Sequence, residues 1–289
     1  MPLVFDLHCD TPINIHKKKF NHVRPDKLKE SEYIGAVFAH FVEPASRQPF
    51  VDAVKIIAST LGYISKVPEL TIMRKPSEFD KGRVNLILGV EGGHAFDRNF
   101  KQIEVFYDLG IRVFTLTWNN SNRLAHSALE ADKKGLTRKG KELVKALGGF
   151  DVILDMSHAS TRTVLDVCEI YDQRIIASHS CIRTLNPFLR NIDDRAIKAI
   201  AERGGVVGIN FSRYHLGEHT ILEHIDYLKT RFGESVPAIG SDFDGINDAL
   251  ITEPAQVQDL AVEARKKGYD NAAVENFYYG NFMTCWTRN

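Results

Sequence analysis

Eight short apolar, β-branched runs recur along the chain, separated by stretches of helical periodicity. The runs are Leu3–Leu7, Ile34–Phe41, Val84–Val90, Val113–Thr117, Val152–Met156, Ile175–Ala177, Val206–Asn210 and Ala238–Ile239. Their near-continuous apolarity marks parallel strands covered on both faces. The amphipathic stretches between them include Val51–Lys66, Asn99–Leu109, Thr137–Leu147, Thr161–Ile170, Asp193–Arg203 and His219–Phe232, with Thr137 and Asp193 placed as N-caps. Eightfold strand–helix alternation predicts an α/β fold of the TIM-type (β/α)8 class; an open doubly wound sheet is the alternative. The 289 residues suit one such barrel, which typically needs about 250. No linker, charge block or short repeat divides them, so a single domain over 1–289 is expected.

Polar motifs follow the ends of six of these runs: Asp6-Leu7-His8-Cys9-Asp10, Glu91-Gly92-Gly93-His94, Trp118-Asn119-Asn120, Ser157-His158, Ser178-His179-Ser180 and Ser241-Asp242-Phe243-Asp244-Gly245. In a barrel all strands end at one mouth, so motifs distant in sequence would converge there. His8 and Asp10 are two apart and would share a strand face, with Cys9 turned away into packing. Imidazole plus carboxylate is a zinc-type donor set. Glu91 ends an apolar run, where a carboxylate needs compensation, either a metal pair or a basic side chain from a neighbouring strand. His158 and His179 end consecutive strands and could be core histidines or ligands. Taken together, three His and two carboxylates suffice for a two-metal hydrolytic site with ions roughly 3.5–4 Å apart. His16, His22, His40, His126, His215, His219 and His224 read as surface or loop residues, and His94 stays unassigned.

These motifs resemble the membrane dipeptidase (renal dipeptidase) family of zinc peptidases and its soluble bacterial members. The matching pieces are DLHCDTP, GVEGGHAF, LTWNNSN, GLTRKGKELV, DMSHAS, ASHSCIRTLNPFLRNIDD, GVVGINF, IGSDFDG and YYGNFM, in family order from residue 6 to residue 283. The resemblance implies a metal-dependent-hydrolase barrel binding two Zn2+ per chain: His8 and Asp10 on one ion, His158 and His179 on the other, Glu91 bridging. It implies that Asp242 handles the proton of a water activated between the ions, and that Arg190 receives the substrate's C-terminal carboxylate. Read from the residues alone, Arg190 could equally be a surface arginine paired with Asp193 or Asp194. Trp118 departs from the mammalian pattern, which has a histidine there that steadies the tetrahedral intermediate. An indole N–H can donate one hydrogen bond; Asn119, Asn120 and His126 are the other candidates for that role, and Trp118 and Asn119 are taken as substrate-contacting.

The implied activity is hydrolysis of dipeptides, including those with a C-terminal D-residue. Rivals are a related barrel metallohydrolase acting on N-acyl amino acids, lactones or phosphoesters, and a non-catalytic binding protein. Arg190 separates the first, since a neutral substrate would not need it; the intact ligand set argues against the second. Lys+Arg and Asp+Glu both number 37, so no basic field exists to gather nucleic acid or anionic lipid. No secretory signal and no run near the roughly 18 apolar residues of a membrane helix is visible. Cys9, Cys168, Cys181 and Cys285 form no CxxC pair and read as reduced thiols. A cytoplasmic protein is expected, with a homodimer as an open option.

Overall fold

The computed structural model describes residues 1–288. Nine parallel strands form the sheet: β1 (Val4–Cys9), β2 (Tyr33–Phe41), β3 (Leu70–Ile72), β4 (Val84–Glu91), β5 (Ile111–Thr115), β6 (Ile153–Asp155), β7 (Ile175–Ile176), β8 (Val207–Ile209) and β9 (Pro237–Ile239). Eight run in the order β7-β6-β5-β4-β2-β1-β9-β8. Between β7 and β8, Ala177 bridges Val207, and the Gly208 N–H donates to the Ala177 carbonyl at 2.8 Å, closing the ring into a (β/α)8 barrel. All eight expected strands are present within a few residues. The ninth, β3, pairs the first half of β4 at Val84–Leu86, while β5 pairs its second half from Leu88 onward. It fills the edge that the late start of β5 leaves open.

Helices cover the outside. Thr137 accepts the Gly140 N–H at 3.0 Å, and Asp193 the Arg195 N–H at 2.9 Å, so both expected caps are made. The helix expected from His219 begins at Ile221, capped by Thr220 and Glu223 in a reciprocal box. Inside the barrel, Phe5, Leu7, Val37, Ile87, Val113 and Ile153 pack together. Phe282, Cys285 and Trp286, from the helix Asn281–Thr287, belong to the same cluster and plug the floor. Phe282 stacks on Phe5 at 4.7 Å between centroids. The four cysteines are free, and no helix among the described residues is long and apolar enough to cross a membrane.

Candidate metal centre

Strand alternation alone would not aim His8 inward, because Phe5 and Leu7 already face the barrel interior. The register supplies the answer: Asp6 pairs with Ala36 but Cys9 with Phe38, so β1 has one residue too many and bulges. The bulge resets the alternation after Leu7. The carboxylate of Asp6 holds it, accepting the N–H of His8 at 3.2 Å and of Ser241 at 2.9 Å. His8 and Asp10 then share the mouth as expected, and Cys9 packs into the outer layer. Asp155 repeats this hydrogen-bond pattern on the opposite side of the barrel, accepting the N–H groups of Ser157 and Ser178.

Five side chains meet at the mouth. Glu91 Oε1 lies 3.1 Å from His158 Nε2 and 3.5 Å from His179 Nε2, and its Oε2 lies 3.7 Å from His8 Nε2. His8 Nε2 is 3.4 Å from Asp10 Oδ2. Three groups of three residues have metal-ligand spacing, Glu91/His158/His179, His8/Asp10/Glu91 and His8/Asp155/His179, and the first two share Glu91. His8 Nε2, Asp10 Oδ1 and Glu91 Oε1 are buried without a hydrogen-bond partner. Orphaned buried polar atoms are costly and rare. Three of them converging among nitrogen and oxygen donors fit divalent cations.

The electrostatics point the same way. Burial pushes His158 and His179 well below the ordinary imidazole range, helped by the Arg190 and His8 charges, which favours neutral ligand nitrogens. Burial opposes charge on His8 too, but the Glu91 and Asp10 carboxylates outweigh it and hold that ring well above its usual range. Asp242 is pushed well above the carboxylate range, first by burial and then by its acidic neighbours Asp10 and Glu91. Positive charge placed between these acids would reverse that.

Asp242 accepts a hydrogen bond from Asn210 Nδ2 at 2.7 Å. A Cβ at Gly245 would run into carboxyl oxygens of both Asp10 and Asp242, so only glycine lets the loop close over them. His158 and Asp242 both have left-handed backbone, φ 66° and 62°. Such strain in non-glycine residues concentrates at functional sites. The second acid of the motif, Asp244, serves structure: it accepts the Thr11 hydroxyl at 2.7 Å and the His22 N–H at 2.8 Å.

Arg190 is 3% exposed and makes no pair with Asp193 or Asp194; it donates to Ser180 Oγ at 3.2 Å, the His179 carbonyl at 3.0 Å and His158 Nδ1 at 2.9 Å. Asn119 Oδ1 also lies 2.9 Å from His158 Nδ1. One ring nitrogen serves one of them at a time, donating to Asn119 or accepting from Arg190. Trp118 meets Phe41 in a tilted contact, ring centroids 4.9 Å apart, and sits 6.2 Å from the His158 ring. Trp118, Asn119, Arg190 and Asp242 all line a cleft of about 1020 Å3 over the five-residue cluster. Asn120 and His126 do not line it; His126 bonds the Gly135 carbonyl. His94 turns away to the Val42 carbonyl.

Three histidines read as surface or loop residues lie elsewhere. His40 and His224 are fully buried, and His215 lines the cleft, its pKa lowered to about 3 by burial. His40 occupies the outward face of β2 and His224 the inner face of the helix Ile221–Phe232, where a lone imidazole among apolar neighbours gives no periodic signal. Asn210 and Ser178 bond Asp242 and the ligand histidines; the sequence places both at strand ends but assigns neither a role. Their signal was position, each next to or at the end of an apolar run.

Comparison with known proteins places the chain. The family model described as membrane dipeptidase (peptidase family M19) matches residues 1–289. Dipeptidase 3 of Mus musculus is 26% identical over 94% of this chain, which spans only 58% of the mouse protein. An uncharacterized protein in the pqqA 5′ region of Klebsiella pneumoniae is 30% identical, over 68% of this chain and 79% of its own length. Among solved structures, a metallopeptidase from Rhodobacter sphaeroides, liganded with a phosphinate mimic of L-Ala-D-Ala, superposes with a TM-score of 0.90 over 99% of both chains at 23% identity. The M19 metallopeptidase dipeptidase AC gives 0.91 over 99% of this chain and 98% of its own, also at 23% identity.

Proposed function

Because this chain belongs to the membrane dipeptidase family, peptidase family M19, we propose that it hydrolyses dipeptides with two zinc ions, one on His8 and Asp10, the other on His158 and His179, with Glu91 bridging. One observation carries the reading: Glu91, with an orphaned buried oxygen of its own, gathers the orphaned atoms of His8 and Asp10 and the imidazole nitrogens of His158 and His179 around it. Two cations there would supply an activated water and a Lewis acid for the scissile carbonyl.

The chain's own residues do the rest. Asp242, held at one oxygen by Asn210, carries the proton from the attacking water to the leaving amine. Arg190 grips the substrate carboxylate. With His158 ligating through Nε2, its Nδ1 carries the hydrogen and donates to Asn119, which frees Arg190 Nε–H for that carboxylate. A carboxylate anchored beside the site limits the substrate to one residue beyond the cut, hence dipeptides. The Rhodobacter sphaeroides relative holds a mimic of an L-D dipeptide, and a C-terminal D-residue is proposed to be accepted here too. Trp118 on Phe41 offers an aromatic wall to the substrate.

Elemental analysis of zinc-loaded protein should give about two ions per chain. Arg190→Met should sharply weaken turnover of free dipeptides and affect their C-terminal amides much less. Less than one ion per chain overturns the metal assignment. Equal losses on both substrates, or faster turnover of N-acyl amino acids, lactones or phosphoesters, overturns the dipeptidase reading.

A further inference from the structure

Beneath the five ligands lies a fully buried carboxylate that the proposed reaction does not use. Asp155 Oδ1 accepts the N–H groups of Ser157 at 3.0 Å and Ser178 at 2.8 Å. Its Oδ2 accepts the hydroxyls of Thr115 at 2.8 Å and Ser178 at 2.7 Å. Four donors occupy the four lone-pair directions of an acceptor-only group.

That arrangement commits the one hydroxyl hydrogen of Ser178. Its oxygen also faces His179 Nδ1 at 2.8 Å and His8 Nδ1 at 3.3 Å, and toward them it has only lone pairs. Ser157 Oγ, at 3.2 Å, is a further neighbour, so the His8 bond is the weaker of the two. The two imidazoles lie side by side, ring centroids 3.7 Å apart. We infer that Ser178, anchored on Asp155, is a positioning residue that fixes the Nδ1–H tautomer of His8 and His179 together and so ties the two metal positions to one hydroxyl. Each ring is left with its Nε2 lone pair toward Glu91, 3.7 Å and 3.5 Å away. His158 touches this hub only through its Nε2, 3.0 Å from His179 Nε2; its Nδ1 lies against Asn119 and Arg190 instead of Ser178. The inference rests on the ligand assignment above.

The test compares zinc affinities at both sites, by chelator competition, in the full-length protein and three variants. Loss of an outer partner typically costs a histidine ligand 10–100-fold in metal affinity. Ser178→Ala should weaken both ions by about that factor, and Asn119→Ala only the ion on His158. Asp155→Asn keeps the shape but puts an N–H2 where Oδ2 was. The Ser178 hydrogen must then turn onto Ser157 Oγ or onto an imidazole; where it takes an imidazole, that ring reverses to the Nε2–H tautomer and its ion weakens at least about tenfold. Imidazole 15N NMR reads the tautomers directly. Zinc-free wild-type protein, taken to a pH at which both rings are neutral, should show Nδ1–H on both His8 and His179, a readout that needs no variant. Nε2–H on either ring, or Ser178→Ala holding both ions at wild-type affinity, overturns the inference while leaving the ligand assignment standing. Wild-type protein that binds fewer than two ions overturns both.

Discussion

The two ends of the barrel are built from the same strands to opposite rules. At the mouth, strand ends carry His8, Glu91, Asp155 and Asp242; His158, Asp242 and Asp244 take left-handed backbone, and three buried polar atoms that converge there lack partners. At the floor, Phe282, Cys285 and Trp286 close the barrel against Phe5 and its neighbours with apolar contacts only. A protein interior tolerates unsatisfied polar groups only where something else gains from them. The mouth is therefore the end organised for a ligand, and the floor the end organised for stability.

Asp242 is where the mouth has most to lose. Asp242→Asn keeps the shape and the neighbouring backbone but removes the group that carries the proton. General acid–base catalysis contributes about 10²–10⁴-fold, so kcat should fall by that factor while KM, zinc content and the melting temperature stay near wild type. Steady-state kinetics beside elemental analysis decides it. A variant that keeps more than about half its kcat removes Asp242 from the proton pathway, and one that loses zinc makes Asp242 a ligand.

The floor should behave in reverse. Trp286 is 2% exposed and meets Phe282 edge-on at 5.6 Å. Trp286→Ala should cost about 3–5 kcal/mol of stability, measured by denaturant unfolding, with kcat/KM at low temperature almost unchanged. A large loss of kcat/KM in the folded variant would show that floor and mouth are coupled and that the division between them is wrong.

The repeated apolar runs made the barrel legible, because each strand is buried on both faces and so reads as continuous apolarity. Leu70–Ile72 escaped: three residues carry no period, and its place in the sheet depends on where β5 begins. The C-terminal plug also escaped, since its π-helical turn Asn276–Gly280 and the short helices around it break the 3.6-residue stripe. At the site, the ligand residues stood out because charged groups interrupt apolar runs. The bulge that aims His8 did not, because it depends on the register with β2 and on Asp6 accepting N–H groups from both His8 and the distant Ser241, which no local pattern signals. Arg190 could be read two ways from sequence; only the folded loop shows its guanidinium buried against Ser180 and His158.

A buried titratable group away from the mouth gives the finest separation of the two rules, and His40 is that group. It is fully buried in the wall, with Nδ1 2.7 Å from the Gly89 carbonyl and Nε2 3.1 Å from Thr60 Oγ1. Burial outweighs the hydrogen bonds to the Gly89 and Phe38 carbonyls and lowers its pKa from 6.5 to about 4. In the unfolded chain the ring titrates near 6.5. Between these values the unfolded state binds the proton and the folded state does not. Stability from this group is therefore complete above about pH 6.5 and falls as pH drops toward 4. The shift is worth about 3 kcal/mol. His224, lowered by burial to about 4, His215, lowered to about 3, and the buried His158 and His179 act in the same direction, and their shares cancel in the difference between wild type and a His40 variant. His40→Asn places an amide N–H near the Nδ1 position and does not titrate. Its stability at neutral pH should be lower, but its loss between pH 6.5 and 4 should be smaller than wild type by about 3 kcal/mol. Parallel urea unfolding of the two proteins across that window, with dipeptide turnover recorded at pH 7.5, checks both halves. Identical slopes would mean that His40 titrates normally in the folded protein, and a changed KM at pH 7.5 would mean that this wall residue reaches the mouth after all.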